Sequence, residues 1–170
     1  MATITAPVKD KAIITEDGER LAKVIAGLNI RKLTHIEDHR GVLTEVYRPS
    51  WGQHPDPLVY IYQVVARPGS IRGWVVHKKQ DDRIFSSTGV LHWALYDDRE
   101  DSPTYQMLNQ FTFSERTPAV FTIPKGVYHA VKNVGTTDAI FFNMPNRPYD
   151  HADPDKYRLP IKNDLIPFSF

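Results

Sequence analysis

Pro124-Lys125-Gly126-Val127-Tyr128-His129, with Asn133 four residues on, follows the apolar run 119–123 and reads P-x-G-x-x-H-x-x-x-N. A Pro and a Gly at this spacing turn the backbone between two strands. Alternate side chains of a strand share a face, so the pattern aims His129 at the interior of a small barrel. Outward from this stretch, short runs rich in Val, Ile, Tyr, Phe and Thr recur at 42–47, 58–66, 70–77, 82–87, 90–97, 105–113, 119–124, 129–134 and 139–144. Between them lie turn residues such as Pro68-Gly69, Ser87-Thr88-Gly89 and Gly135-Thr136-Thr137. So many short strands with few helical signals predict an all-β, double-sheet jelly-roll barrel.

The ends are patterned differently. Leu21, Val24 and Ile25 have i, i+3, i+4 spacing, with Gly27 and Asn29 as stop signals, and predict a short peripheral helix. Residues 1–28 are expected to form an arm and residues 29–170 a single domain. The tail from Pro145, rich in Pro, Asp and Tyr, is expected to wrap the barrel mouth rather than continue the sheet.

Composition narrows the partners. With 21 Lys+Arg interspersed among 20 Asp+Glu, there is no basic stripe that would attract nucleic acid or an anionic membrane, so a small ligand is expected. The absence of cysteine excludes disulfides and thiolate metal sites and fits a cytoplasmic protein. No apolar run approaches the ~18 residues of a membrane span.

Gly69, His77, Asp82 and Gly89 fall on the spacing G-x5-H-x-H-x4-E-x6-G, with Val75 at the first His and Asp82 at the Glu. Together with the 124–133 stretch this resembles the two-part cupin signature. His77, Asp82 and His129 then converge inside the barrel, and three readings are open. Two imidazoles and a carboxylate can hold a divalent transition metal such as Fe(II), Mn, Ni or Zn. Alternatively one His is a general base for a carbon acid, with no cofactor. Or both line the cavity of a non-catalytic sugar- or nucleotide-binding protein.

Asp38-His39-Arg40-Gly41 with Glu45, Ile71-Arg72-Gly73, Asp97-Asp98-Arg99 with Ser102-Pro103-Thr104, and Ile123-Pro124-Lys125-Gly126 with His129 resemble, in order and spacing, the dTDP-4-dehydrorhamnose 3,5-epimerase family. The resemblance implies a metal-independent, homodimeric cupin acting on a nucleotide-linked 4-keto-6-deoxy sugar. In that family a His removes the proton alpha to the ketone and a Tyr helps return one on the opposite face. This chain has Val75 at the usual His, Asp82 where the family tends to place a Lys, and Phe141-Phe142-Asn143 near the usual Tyr. Arg72-Gly73-Trp74-Val75-Val76-His77-Lys78 also resembles the R-G-x-H-A-H-K run of the related sugar 3,4-ketoisomerases with the first His lost, and this second resemblance implies a base at His77, displaced by two residues, about 6.5–7 Å along the strand. His129 becomes its partner, and Tyr149 the acid if the 145–148 loop carries it to the mouth.

For substrate, Arg40 and Arg72 offer forks suited to a diphosphate and Glu45 a hydrogen-bond acceptor. Gln63 and Gln80 are expected to fix hydroxyls or a carbonyl, and Tyr128 and Asn143 to complete the pocket. Trp93 is read as packing, and Asp97 and Arg99 as a structural corner pair.

Overall fold

The computed structural model describes residues 9, 10, 12–17 and 23–170. Among the described residues twelve strands run in the order β1 (Asn29–Lys32), β2 (His35–Asp38), β3 (Gly41–Thr44), β4 (Tyr62–Ala66), β5 (Ile71–Val76) and β6 (Asp82–Thr88), then β7 (Val90–Asp97), β8 (Leu108–Ser114), β9 (Ala119–Ile123), β10 (Val127–Asn133), β11 (Ala139–Asn143) and β12 (Tyr157–Arg158). They build two five-stranded sheets, β1-β9-β6-β11-β4 and β12-β5-β10-β7-β8, and a separate hairpin, β2-β3. This is the expected jelly roll.

The core lies between the sheets. Trp93 of β7 meets Phe121 of β9 and Phe141 of β11 edge-on, with ring centroids 5.2 and 5.0 Å apart. Ile84, Leu91, Leu95, Ile123, Val127 and Val131 complete it. On β10, Val127 and Val131 point inward while Tyr128 and Ala130 point outward, as strand alternation requires. The outer face of the second sheet is covered by the tail: Ile166, Phe168 and Phe170 pack on Trp74, Ala94 and Tyr96.

The opening motif works through its backbone. Gly126 takes φ 81°, a conformation that suits glycine, and its N–H donates to the His77 carbonyl at 2.7 Å. The β9–β10 turn is thereby fastened to the residue that follows β5. Asn133, fully buried, donates to the carbonyls of Ala66 (2.7 Å) and Thr137 (2.8 Å) and accepts from Gly135 N–H (2.9 Å), closing the far end of β10.

Two expectations are corrected. The helix over Leu21–Asn29 does not form among the described residues, and Leu21 lies outside them; Lys23–Ile25 are irregular and a turn follows at Ala26–Gly27. Tertiary bonds win here, since the Ile25 N–H donates to Asn109 Oδ1 (2.8 Å) and Ile25 is fully buried. The tail does continue a sheet: Tyr157 and Arg158 pair with Val76 and Val75 of β5, whose edge would otherwise leave backbone groups unpaired.

The Asp97 corner holds the N-terminal segment. Asp97 accepts from Arg99 Nε (2.7 Å), Ser102 Oγ (2.6 Å) and Thr104 Oγ1 (2.6 Å), while Arg99 Nη2 donates to the Ala26 carbonyl (2.7 Å). Burial would raise the Asp97 pKa, but these donors outweigh it and lower it from 3.8 to about 2. A depressed carboxyl stabilises the fold above its unfolded pKa and loses that contribution as pH falls through the folded one. At ~1.4 kcal/mol per unit this amounts to about 2 kcal/mol. Asp97→Asn should therefore lower urea stability by about 2 kcal/mol at pH 7. The gap between variant and native protein should narrow as pH drops from about 4 toward 2, and a gap independent of pH would contradict the assignment.

Candidate functional site

The site starts at the turn between β5 and β6, which the tail holds in place. The Asp155 carboxylate accepts the main-chain N–H groups of Lys78 (2.9 Å), Lys79 (2.7 Å) and Gln80 (3.0 Å). The carbonyl of the same residue accepts a hydrogen bond from His77 Nδ1. A carbonyl only accepts, so His77 Nδ1 carries the proton and, in the neutral ring, Nε2 bears the lone pair. His129 is set the same way, its Nδ1 lying 3.3 Å from the Val127 carbonyl.

Both Nε2 atoms face one oxygen. His77 Nε2 lies 3.4 Å and His129 Nε2 3.5 Å from Asp82 Oδ2, an atom without a hydrogen bond from the described residues. Asp82 Oδ1 accepts from Gln80 Nε2 at 2.8 Å. The ligand atoms of His77, Asp82 and His129 lie within 4.8 Å of one another. With two lone pairs directed at a carboxylate, the cluster favours a shared cation, and a proton is the smallest. Burial alone would lower the His77 pKa, yet Asp82 and Asp155 outweigh it and raise it. Burial lowers His129 to about 4, the Asp82 charge offsetting only part of that, so this ring is neutral near pH 7. Burial would raise Asp82, but the two imidazoles hold it below the usual carboxylate range.

These groups line a cavity of about 310 Å3 between the two sheets. Its walls are Val64, Ile71, Val75, Ile84, Trp93, Val131 and Phe141; its remaining polar lining is Tyr62, Arg72, Asn143, Lys156 and Arg158. Tyr62 of β4 stands directly opposite Asn143 of β11 in the ladder, and Asn143 Nδ2 donates to the Tyr62 hydroxyl at 2.8 Å. Burial, then the Asp82 charge, pushes the Tyr62 pKa up to about 12. Lys156, an exposed residue of the lining, has a lowered pKa, mainly through its partial desolvation and then through the nearby Arg158 charge. A smaller hollow on the rim is shared by Tyr60, Tyr62, His77, Gln80, Tyr149 and Lys156.

The structure thus gathers His77, Asp82, His129, Arg72 and Asn143 in one cavity, with Gln80 behind Asp82 and Tyr149 on the rim, 43% exposed. Four expected residues do not line it. Arg40 pairs with Asp38 on the exposed hairpin, and Glu45 pairs with Arg48 just beyond it. Gln63 alternates with Tyr62 and Val64 and so faces outward. Tyr128, one residue before His129, packs against the tail on the outer face. Trp93 packs in the core as expected and also forms cavity wall.

Sequence reasoning missed Tyr62, Asp155, Lys156 and Arg158. For Tyr62 a signal was present, since alternation in Tyr62-Gln63-Val64 allows either Gln63 or its neighbours to face inward. For the tail residues there was none, because their positions depend on β12 pairing with β5.

A family model described as dTDP-4-dehydrorhamnose 3,5-epimerase matches residues 22–160. The chain is 34% identical over 137 residues to the probable low-salt glycan biosynthesis epimerase Agl13 of Haloferax volcanii, a match covering 80% of this chain and 88% of that protein. It is 31% identical over 153 residues to the spore coat polysaccharide biosynthesis protein SpsL of Bacillus subtilis, covering 86% and 97%. A solved dTDP sugar isomerase from Desulfovibrio desulfuricans G20 superposes with a TM-score of 0.79 at 26% identity, covering 85% of this chain and 91% of that one. With a match that spans the whole barrel and two relatives above 30% identity, the chain belongs to the dTDP-4-dehydrorhamnose 3,5-epimerase family.

Proposed function

We propose that the chain epimerises or isomerises a dTDP-linked 4-keto-6-deoxy sugar, without a cofactor, by removing a proton from the carbon next to the ketone. The observation that carries this reading is a cavity of about 310 Å3 whose lining holds both an imidazole–carboxylate pair and cationic groups. Its volume suits a sugar ring and leaves the nucleotide outside.

His77 is the base. Its Nδ1–H is held by the Asp155 carbonyl and its Nε2 lies beside Asp82 Oδ2, so an incoming proton has one place to go. Asp82 stabilises the imidazolium that forms, as the raised pKa of His77 expresses. His129, kept neutral by burial, supports Asp82 without competing for the proton. An enolate oxygen needs a positive donor, and Asp82 opposes that need; Lys156, brought in by the tail, answers it. Arg72, with Arg158 beside it on the lining, suits the diphosphate, and Asn143, Gln80 and Tyr149 contact the sugar or orient the groups that do.

Homodimerisation fits the same reading. The β2–β3 hairpin exposes Ile36, Val42 and Leu43, and carries Arg40 away from its own cavity, so a second copy is the partner expected to cover it. The chain has no helix, among the described residues, long and apolar enough to cross a membrane. A nucleotide-sugar substrate and the absence of cysteine suit a cytoplasmic setting.

A second reading is favoured by one observation: His77, His129 and Asp82 present their ligand atoms within 4.8 Å of each other. That is the donor set of a facial two-His, one-carboxylate metal centre, with both Nδ1–H groups already donated to carbonyls as metal-binding imidazoles require. A metal-dependent enzyme predicts copurifying metal and loss of activity on chelation.

In D2O with a dTDP-4-keto-6-deoxy sugar, NMR should show chelator-resistant exchange of a ring proton. His77→Ala should abolish that exchange while retaining nucleotide affinity, and full exchange in the variant would remove His77 from the role. The base must be unprotonated, so kcat/KM should fall as pH drops through a His77 pKa above ~6.5. Asp82→Asn should move this acid limb to lower pH and slow the reaction ~10²-fold; an unmoved limb would break the His77–Asp82 link. Light scattering should give twice the 19.5 kDa chain mass, with Leu43→Glu shifting the protein toward monomer. A monomer mass at every concentration would exclude the homodimer.

A further inference from the structure

Two attachments bracket the segment that leads from β11 to the apolar end of the tail. At the first, Met144 N–H donates to the Arg83 carbonyl (2.8 Å), while Asn146 N–H donates to the Asp81 carbonyl (3.2 Å) and its Oδ1 accepts the Asp81 N–H (2.9 Å). At the second, Leu159 N–H donates to the Trp74 carbonyl (3.2 Å), and Ile166, Phe168 and Phe170 pack on that tryptophan. Residues 147–158 form a strap between them. Residues 147–154 are exposed throughout, and among the described residues their hydrogen bond to the barrel is the surface pair Lys79–Asp153, 3.2 Å. An exposed ion pair of this kind holds weakly. The rest of the fastening falls to the Asp155 carboxylate on the amides of Lys78, Lys79 and Gln80, and to the two residues of β12 on β5. A segment with so little burial opens locally at low cost.

The inner side of the strap is cationic. Lys156 and Arg158 line the same cavity as Arg72 of β5. Beyond partial desolvation, the Arg158 charge lowers the Lys156 pKa and the Arg72 charge adds to it, with Asp82 pulling the other way. Strap and barrel therefore repel each other across the cavity, and negative charges placed among the three cations turn that repulsion into attraction.

We propose that residues 147–158 are a gate that opens to admit the nucleotide sugar and is drawn shut by its diphosphate. This rests on the nucleotide-sugar reading above. Opening frees the Asp155 carboxylate from the three amides and its carbonyl from His77 Nδ1, and carries Lys156 and Arg158 away from Arg72. An open site thus neither grips the diphosphate nor holds the imidazole in one tautomer, and closure restores both together. Binding energy from the diphosphate, remote from the reacting carbon, is used to set the base.

The chain contains no cysteine, so a tether can be placed on the gate alone. Lys79→Cys with Asp153→Cys, which replaces the surface pair, can be joined by a bifunctional thiosulfonate that a reductant cuts. With the strap tied down, dTDP association followed by stopped flow should slow ~10²-fold. Reductant should restore it, which also shows that the variant is folded. Hydrogen exchange reads the same equilibrium in the native protein. At about ten times its Kd, dTDP should slow exchange of the Lys78, Lys79 and Gln80 amides ~10-fold, and thymidine, which lacks phosphate, should leave it unchanged. Arg158→Gln, with one strap cation fewer, should exchange more slowly without ligand and gain less protection from dTDP. Undiminished dTDP association in the tethered protein, or equal protection by thymidine, would overturn the gate and leave the carbon-acid reading intact. A native protein that takes up no dTDP would overturn the nucleotide-sugar reading along with the gate.

Discussion

Asp155 is the residue on which the site's geometry depends. Its carboxylate gathers three successive amides of the β5–β6 turn, and its carbonyl takes the Nδ1 proton of His77. One residue therefore fixes the turn, the tautomer of the imidazole and the anchor point of the tail. The next residues, Lys156 and Arg158, enter the cavity because that anchor starts β12 in register with β5. A carboxylate accepting several N–H groups is held ionised, and Asp155 accordingly has a lowered pKa, those amides outweighing its burial.

The charge pattern of the cavity follows. Asp82 is fully buried between two imidazoles, and an isolated buried carboxylate would be too costly to keep ionised. His77 meets that cost by holding a proton more tightly than a free imidazole does, and Gln80 supplies a neutral hydrogen bond to the other oxygen. His129 is left as the neutral member, since two imidazolium ions so close would repel. The cationic side chains of the cavity, Lys156, Arg158 and Arg72, come from the tail and from β5 rather than from the strand that carries Asp82.

The barrel was legible in the sequence because its signals are local. Pro124, Gly126 and the alternation around His129 encode a turn and a facing direction within ten residues, and the structure adds only that Gly126 bonds the His77 carbonyl. The convergence of His77, Asp82 and His129 was legible through the cupin-like spacing, which implies that the face each shares by strand period is the inner one. Residues whose place depends on distant pairing were not. The Ile25 segment reads as helix locally but is claimed by Asn109 across 84 positions. Tyr62 and Gln63 are equally plausible inward residues until the register of β4 on β11 is known. Lys156 and Arg158 sit in a polar tail with no periodicity, and β12 is too short to announce itself.

The tail also gives the site a place in time. The tail is synthesised after every strand but its own β12, yet it supplies the His77 acceptor, the lysine of the cavity and the apolar cover over Trp74. A chain that emerges from the ribosome N-terminus first releases the other strands before the tail, so they can pair before residues 153–170 dock. During that interval the imidazole would rotate without its carbonyl partner and the edge of β5 would stand bare. The fixed imidazole is thus the last thing the chain acquires, so a partly made molecule holds a barrel before His77 has its carbonyl partner.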